Sequence, residues 1–447
     1  MSSLRDKKAV VIGAGMGGLA AAKALSNHFG HVTVLDRDSL PSESEPRNGT
    51  PQARHAHLLI GGGLNALADL FPGFEQDLQQ SGAVNMRVGK DMRLERPGFD
   101  PFPARDLGWD TFSVSRPLLE VVTRRRVEQQ ENITILAKCR VKELVASPDG
   151  STVTAVRYEA ADGQVQTLQT GLVADASGRG TPTLELFDAI GLARPEETEI
   201  GIDQAYSTAI FERPENAPSI WKGVVVLPSA PSSSRGAFLF PIENNRWIVS
   251  LGGNHGDAPP GDMDGYLAFL KGLRTPTIYD AVKDAKPVSG IVRYLLPCSV
   301  RRHFERVSSF PSGLLPIGDT VCRFNPVFGQ GMSVAAQEAV VLNRLLGAQA
   351  EGRLDGLAQK FFAAIQDVIE TPWGVAINDF AYPATRGERP PDFARRMQYG
   401  IALTRLAAED AAIHKLTTEV ANLLKPQGAL REPELAERVM ALMTATT

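Results

Sequence analysis

Three observations predict an α/β fold for this chain. A short apolar run, Lys8–Ile12, leads into the glycine hexapeptide Gly13-Ala-Gly-Met-Gly-Gly18, and an Ala-rich helical stretch follows. A second β-branched run, His31–Leu35, ends in Asp36 and completes a βαβ unit. From about residue 130 to 300 the pattern changes to strand-like segments separated by Asp-Gly and Asn-Asn turns. Together these predict a Rossmann-like dinucleotide-binding domain with an inserted β-meander, a second domain built on a sheet, and a helical C-terminal region.

The first unit carries a phosphate-binding pattern in the required context, between a strand and a helix. Gly13 allows the tight turn, Gly15 lets a pyrophosphate approach the backbone, and Gly18 lets helix and strand pack closely. The helix N-terminus supplies free N–H groups and the positive end of a dipole. Asp36 stands where an acid would bond a ribose hydroxyl. Further on, Leu58–Leu70 and Leu118–Gln129 read as helices, the latter with a solvated basic face at Arg124, Arg125 and Arg126. Ile133–Leu136, Cys139–Ala146, Thr152–Glu159 and Val165–Ala174 read as the meander.

In the second domain, Arg235–Pro241 and Arg246–Leu251 read as a hairpin, and Met263–Leu273 as a helix. Phe238, Phe240 and Trp247 lie on the hairpin. With His55 they are the candidates for a substrate pocket, plain core packing being the other reading. His55 and His57 share a face if extended, but zinc needs three or four ligands and no second pair at suitable spacing exists, so no metal is expected. Tyr206, Tyr266, Tyr279, Tyr294 and His255 show no spacing that reads as a base relay, and His255 sits in a Gly-Asn-His-Gly turn.

Leu314–Gly318 returns as an apolar strand, and Ser333–Leu346 is a long Ala/Val/Leu helix. Between them runs Gly318-Asp319-Thr-Val-Cys-Arg-Phe-Asn325-Pro-Val-Phe-Gly329-Gln-Gly331-Met332. Such a loop presents a row of backbone N–H groups and a second helix N-terminus to a ligand, which suits the electron-rich edge of a reduced flavin.

Gly13–Gly18 with Asp36, Asp175-Ala-Ser-Gly178-Arg179, and Gly318-Asp319 with the Asn325–Met332 loop resemble the three fingerprints of the group A flavoprotein monooxygenases. Pro51-Gln-Ala-Arg54-His55-Ala-His57 and Ser115-Arg116-Pro-Leu-Leu-Glu120 are similar to a bacterial subset that includes flavin epoxidases of polyketide and polyether biosynthesis. The resemblance implies FAD held by Gly13, Gly15, Gly18, Asp36, Arg54, Arg116, Val141 (through its backbone), Asp175, Asp319 and Gly329. It also implies N–H groups of Gly331 and Met332 at the flavin pyrimidine ring, stabilising its negative charge during catalysis. The implied reaction is transfer of one oxygen from a flavin hydroperoxide to a largely apolar organic substrate, by epoxidation or hydroxylation, in secondary metabolism. O2 is consumed, and electrons come from NAD(P)H or from reduced flavin made by a partner flavin reductase. The second fingerprint departs from the family's Asp-Gly-x-x-Ser, which leaves direct NADPH use in doubt. The competing readings are an FAD-dependent reductase of isoprenoid double bonds, like geranylgeranyl reductases, and a flavin halogenase, whose Trp-x-Trp-x-Ile-Pro motif is missing.

The implied division is a discontinuous FAD-binding domain (1–75, 104–200 and 300–371), a substrate domain (76–103 and 201–299) and a helical cap (372–447). A formal net charge of -4 gives no reason to expect nucleic acid or an anionic membrane as partner. Three widely spaced cysteines argue against a disulfide framework, and no signal-like segment or apolar run of roughly 20 residues is present, so a cytoplasmic enzyme is expected.

Overall fold

The computed structural model describes residues 3–349 and 353–445. Its first layer is a parallel sheet of five strands in the order Leu314–Pro316, Leu172–Asp175, Lys8–Ile12, His31–Leu35, Ile133–Leu136. These runs are mostly apolar, and the three central ones are buried along nearly their whole length, as strands covered on both faces require. The ladder continues past the strands: Gly13 N–H bonds Leu35 C=O, Ala176 N–H bonds Ile12 C=O, and Ile317 N–H bonds Asp175 C=O. The fingerprints therefore emerge at one carboxyl edge, where open α/β sheets bind their ligands. The helices Met16–Ser26 and Gly331–Gly347 pack on the same side of this edge. A Cβ built on Gly17 would lie 3.3 Å from that of Ala335, so the small residue sets how closely they approach.

The meander is smaller than the sequence suggests. Its antiparallel strands are Arg140–Ala146, Val153–Glu159 and Val165–Gln169. The run Val165–Ala174 breaks at Thr170-Gly171, where the Thr170 hydroxyl lies against the carbonyls of Lys8 and Leu172. Its second half joins the parallel sheet, and so does Ile133–Leu136. The run Leu58–Leu70 likewise divides into a short strand, Leu58–Leu59, and the helix Gly61–Leu70. Arg124 is not on a solvated face: it is buried and donates to the Pro41 carbonyl, tying the helix Arg116–Glu128 to the loop after His31–Leu35.

The second layer is a seven-stranded sheet, ordered Cys322–Arg323, Val292–Arg302, Glu197–Glu212, Arg246–Gly253, Gly236–Ile242, Gly223–Val226, Met92–Glu95. Alternation along the strands gives it two faces. Phe211, Trp247, Val249 and Leu251 point to the back, under the helices Met263–Lys271 and Thr277–Val282, together with Trp221 and Tyr266. Phe238, Phe240, Ile210 and Ile248 point to the front, against Ala56 and Leu58. This corrects one sequence expectation. Trp247 pairs with Pro241, one register step from the Phe240–Ile248 pair, so it belongs to the back core and not to the face of Phe238 and Phe240.

The helix Leu357–Ala376 runs through the boundary expected at residue 372. The helices Phe393–Glu409, Ala411–Ala421 and Pro433–Ala445 follow, and all three share a small core with Phe102. Among the described residues no helix is long and apolar enough to cross a membrane.

Candidate functional site

At the carboxyl edge the three glycines do different work. A Cβ on Gly18 would fall on the Gly13 carbonyl oxygen, deep inside van der Waals contact, and one on Gly13 would lie 2.7 Å from the Ala176 carbonyl oxygen. Gly13 also has φ +99, a left-handed conformation that side chains resist. A Cβ on Gly15, in contrast, would meet nothing within 4 Å. Gly15 is the N-cap of the helix Met16–Ser26 and no side chain caps it. The orphan N–H groups of the first turn therefore face open space, the arrangement that receives phosphates.

Asp36 is committed elsewhere. It is buried, and its oxygens accept the Ala14 N–H at 2.6 Å and the Asp38 N–H at 2.9 Å while pairing with Arg47 at 3.1 Å. It braces the glycine turn from the position where the sequence places a ribose-binding acid. Arg47 also pairs with Asp38 at 2.9 Å and Glu120 at 2.6 Å, and Glu120 pairs with Arg116 at 3.0 Å. This buried chain of charges leads from the second strand to the helix Arg116–Glu128, and sequence reasoning missed its centre. Glu120 had a signal, four residues after Arg116 on a helix. Arg47, in a Pro/Ser-rich loop, had none. Glu120 is held below the usual carboxylate range because both guanidinium groups outweigh the penalty of its burial. Val141 sits at a bulge of the meander, two residues beyond the Cys139 N–H that bonds the Asp36 carbonyl.

Asp175 ends the strand beside the glycine turn. Its carboxylate is buried and accepts the N–H of Ser177 at 3.0 Å, the N–H of Thr183 at 3.2 Å and the Thr183 hydroxyl at 2.6 Å. These bonds close its own turn at the carboxyl edge.

The strand Leu314–Pro316 ends in a helical turn, Gly318–Thr320, and the loop through Asn325 leads into the helix Gly331–Gly347. Gly318 N–H donates to Glu338, one of whose oxygens is buried without a partner. Burial pushes the Glu338 carboxyl up to about 8, against the pull of that N–H, with the Asp319 charge adding to the rise. Asp319 itself stands half-buried in the crevice. Burial raises its pKa while Arg323, Arg116 and Arg302 draw it down. Gly329 is left-handed, with open space where a side chain would be, and a Cβ on Gly331 would meet only the Asp319 carboxylate, at 3.7 Å. The helix that starts at Gly331 has no side-chain cap, so the N–H groups of Gly331 and Met332 are free to face a ligand.

The front of the large sheet closes over this loop. His55 is buried, with Nδ1 2.7 Å from Thr208 Oγ1, which lies 2.6 Å from Ser250 Oγ; the Ala56 N–H donates to Ser250 at 2.9 Å. Burial, helped by the Arg54 charge, pushes His55 down to about 4. Its ring lies between Tyr206 and Tyr294, with centroids 5.8 and 5.7 Å away. The Tyr206 hydroxyl donates to Asn325 at 3.2 Å, and the Asn325 amide donates to Asp379. Burial lifts Asp379 to about 7, the Asn325 amide pulling the other way. Phe238 pairs across the sheet with Ser250, and Phe240 lies on the same face. Arg54 is exposed and acts on His55 by charge alone. His57 folds back, its Nδ1–H donating to the His55 carbonyl at 2.8 Å. Tyr266 lies behind the sheet and Tyr279 packs against that back core. His255 is a left-handed turn residue.

A family model for an NAD(P)-binding Rossmann-like domain matches residues 11–71. Protein Rv3254 of Mycobacterium tuberculosis is 30% identical over 395 residues, covering 87% of this chain and 83% of its own. The chain belongs to the Rv3254 family. The fold is that of flavin-dependent enzymes. The flavin-dependent brominase Bmp2 superposes with a TM-score of 0.66 at 16% identity, over 98% of this chain and 99% of its own. PqsL, a probable FAD-dependent monooxygenase from Pseudomonas aeruginosa, superposes with a TM-score of 0.60 at 15% identity, over 84% and 98%. At such identities the likeness concerns architecture, and chemistry must be argued from the site.

Proposed function

We propose that this chain is an FAD-dependent monooxygenase acting on a largely apolar organic substrate, by epoxidation or hydroxylation. One observation carries the reading: two uncapped helix N-termini, at Gly15 and Gly331, begin helices that pack together, the second beside Asp319, and the front of the large sheet meets the adjoining loop through the Tyr206–Asn325 hydrogen bond. The residues fit an extended dinucleotide. The space over Gly15 takes a pyrophosphate, Arg116 lies within electrostatic reach of Asp319, and the Gly331 and Met332 N–H groups suit an electron-rich ring edge. FAD would supply two-electron reduction of O2 there, with NAD(P)H or a partner flavin reductase as the source of electrons.

The protein's own part is positional. The apolar front holds the substrate and keeps water away, and an alkene or unactivated carbon has no proton that needs a base. The tryptophans also speak against halogenation, since Trp221 and Trp247 pack against each other, with ring centroids 6.0 Å apart, in the core behind the sheet. The test is to purify the chain, measure FAD by its visible absorbance, and supply NAD(P)H or a flavin reductase with a library of alkenes and arenes. Oxygen uptake coupled to a product gaining one oxygen atom supports the proposal. Alkene reduction under anaerobic conditions would convert it to the reductase reading.

A further inference from the structure

The hydroxyl pair behind His55 fixes where the ring keeps its proton. Ser250 Oγ already accepts the Ala56 N–H, and among the described residues its other hydrogen-bond partner is Thr208 Oγ1, at 2.6 Å. Each hydroxyl has one proton to give. If Thr208 gave its proton to Ser250, the Ser250 proton would be left without an acceptor in a buried place. If Ser250 gives to Thr208, then Thr208 gives to His55 Nδ1, 2.7 Å away, and both hydroxyl protons are placed. Nδ1 is then an acceptor, and the neutral ring carries its hydrogen on Nε2.

That Nε2 is buried and has no partner among the described residues. It belongs to a ring wedged between Tyr206, which bonds the Asn325 loop, and Tyr294, which feels the charges of Arg323, Asp319 and Arg179. The atom therefore sits at the seam between the sheet front and the crevice, beside the apolar patch of Phe238 and Phe240. A buried N–H without an acceptor is rare in a folded protein and calls for a partner that the chain does not itself supply.

We propose that the His55 Nε2–H fixes an acceptor oxygen of the substrate, so that the substrate class is an apolar molecule bearing a carbonyl or ether-type oxygen. This rests on the flavin reading above and names the substrate class of the same site. His55 binds and orients; no proton is transferred.

The test uses the full chain with nitrogen-15-labelled histidine, with and without FAD, and a matched probe pair: naphthyl methyl ketone and its isopropenyl isostere, which has CH2 in place of the oxygen. Nitrogen NMR should show the His55 proton on Nε2. The ketone should shift that signal and bind the FAD-loaded chain roughly tenfold tighter than the isostere, the ratio expected of one buried hydrogen bond. His55→Phe should erase the preference. Thr208→Val, which removes the donor to Nδ1 while keeping its shape, should reduce it with FAD content unchanged. A proton on Nδ1 would overturn the proposal, and so would failure to distinguish the probes, whether both bind or neither does. A signal already displaced by FAD alone would assign the donor to the cofactor and equally overturn it. A chain that takes up no FAD sinks the flavin reading separately, while the proton position is still read on the unloaded chain.

Discussion

The glycine crevice and the front of the large sheet meet at the Asn325 loop, yet they are specified in opposite ways. The crevice is built from backbone. Its shape follows from which residues lack a side chain, and Gly13, Gly15 and Gly18 all lie within one turn and the helix it starts. The sheet front is built from side chains brought from far apart: His55 meets Thr208 across 153 positions, and Ala56 meets Ser250 across 194. A local, backbone-made site resists any change that adds atoms. A long-range, side-chain-made site fails one hydrogen bond at a time.

The sharpest way to break this comparison is within the crevice. Gly18→Val should give no folded protein, because the new side chain collides with the Gly13 carbonyl of a buried turn; soluble yield and circular dichroism read this. A stable Gly18→Val protein would show that the turn is not needed. Trp247→Ala should cost about 3–5 kcal/mol, as truncations of large buried aromatics do, yet leave FAD content unaltered because the residue lies behind the sheet. Thermal melting and absorbance together check that, and a selective loss of FAD would return Trp247 to the site. Gly15→Val should do the reverse. It folds with a nearly unchanged melting temperature, since nothing lies within 4 Å of the added carbon, but loses FAD affinity by about a hundredfold, near 3 kcal/mol. Full occupancy would remove the phosphate from this place.

The smallest effect concerns pH. Glu338 has its pKa raised by burial from the ordinary 4.5 to about 8 in the folded chain. Folding then takes up a proton, so this contribution is fully present below about pH 4.5 and is lost as pH rises through about 8. Melting temperature should therefore fall by a few degrees between pH 6 and pH 9, and Glu338→Gln should flatten that dependence. A wild-type slope retained in the variant would place the titration elsewhere, with Asp379, lifted to about 7, as the next group to replace.

The sequence by itself determined the elements whose cause is local. The strand Lys8–Ile12, the glycine turn, the helix after it, and the Gly318–Met332 loop all follow from apolar runs and from residues that permit tight turns or free N–H groups. It also placed Phe238 and Phe240 on one face, since alternation along a strand is local too. Only the tertiary structure decided what each polar side chain does. Asp36 and Asp175 stand where motifs place acids, but buried carboxylates go to whichever donors reach them first, and here those are Arg47 with the Ala14 N–H, and Thr183 with the Ser177 N–H. Trp247 shares a hairpin with the two phenylalanines, and a single register step sends it to the opposite side. His55 acquires its role from Thr208 and Ser250, on two neighbouring strands of the large sheet. Backbone geometry is written in the residues that form it; side-chain partnership is a property of the folded neighbourhood, because a buried polar group must be satisfied by whatever the fold brings beside it.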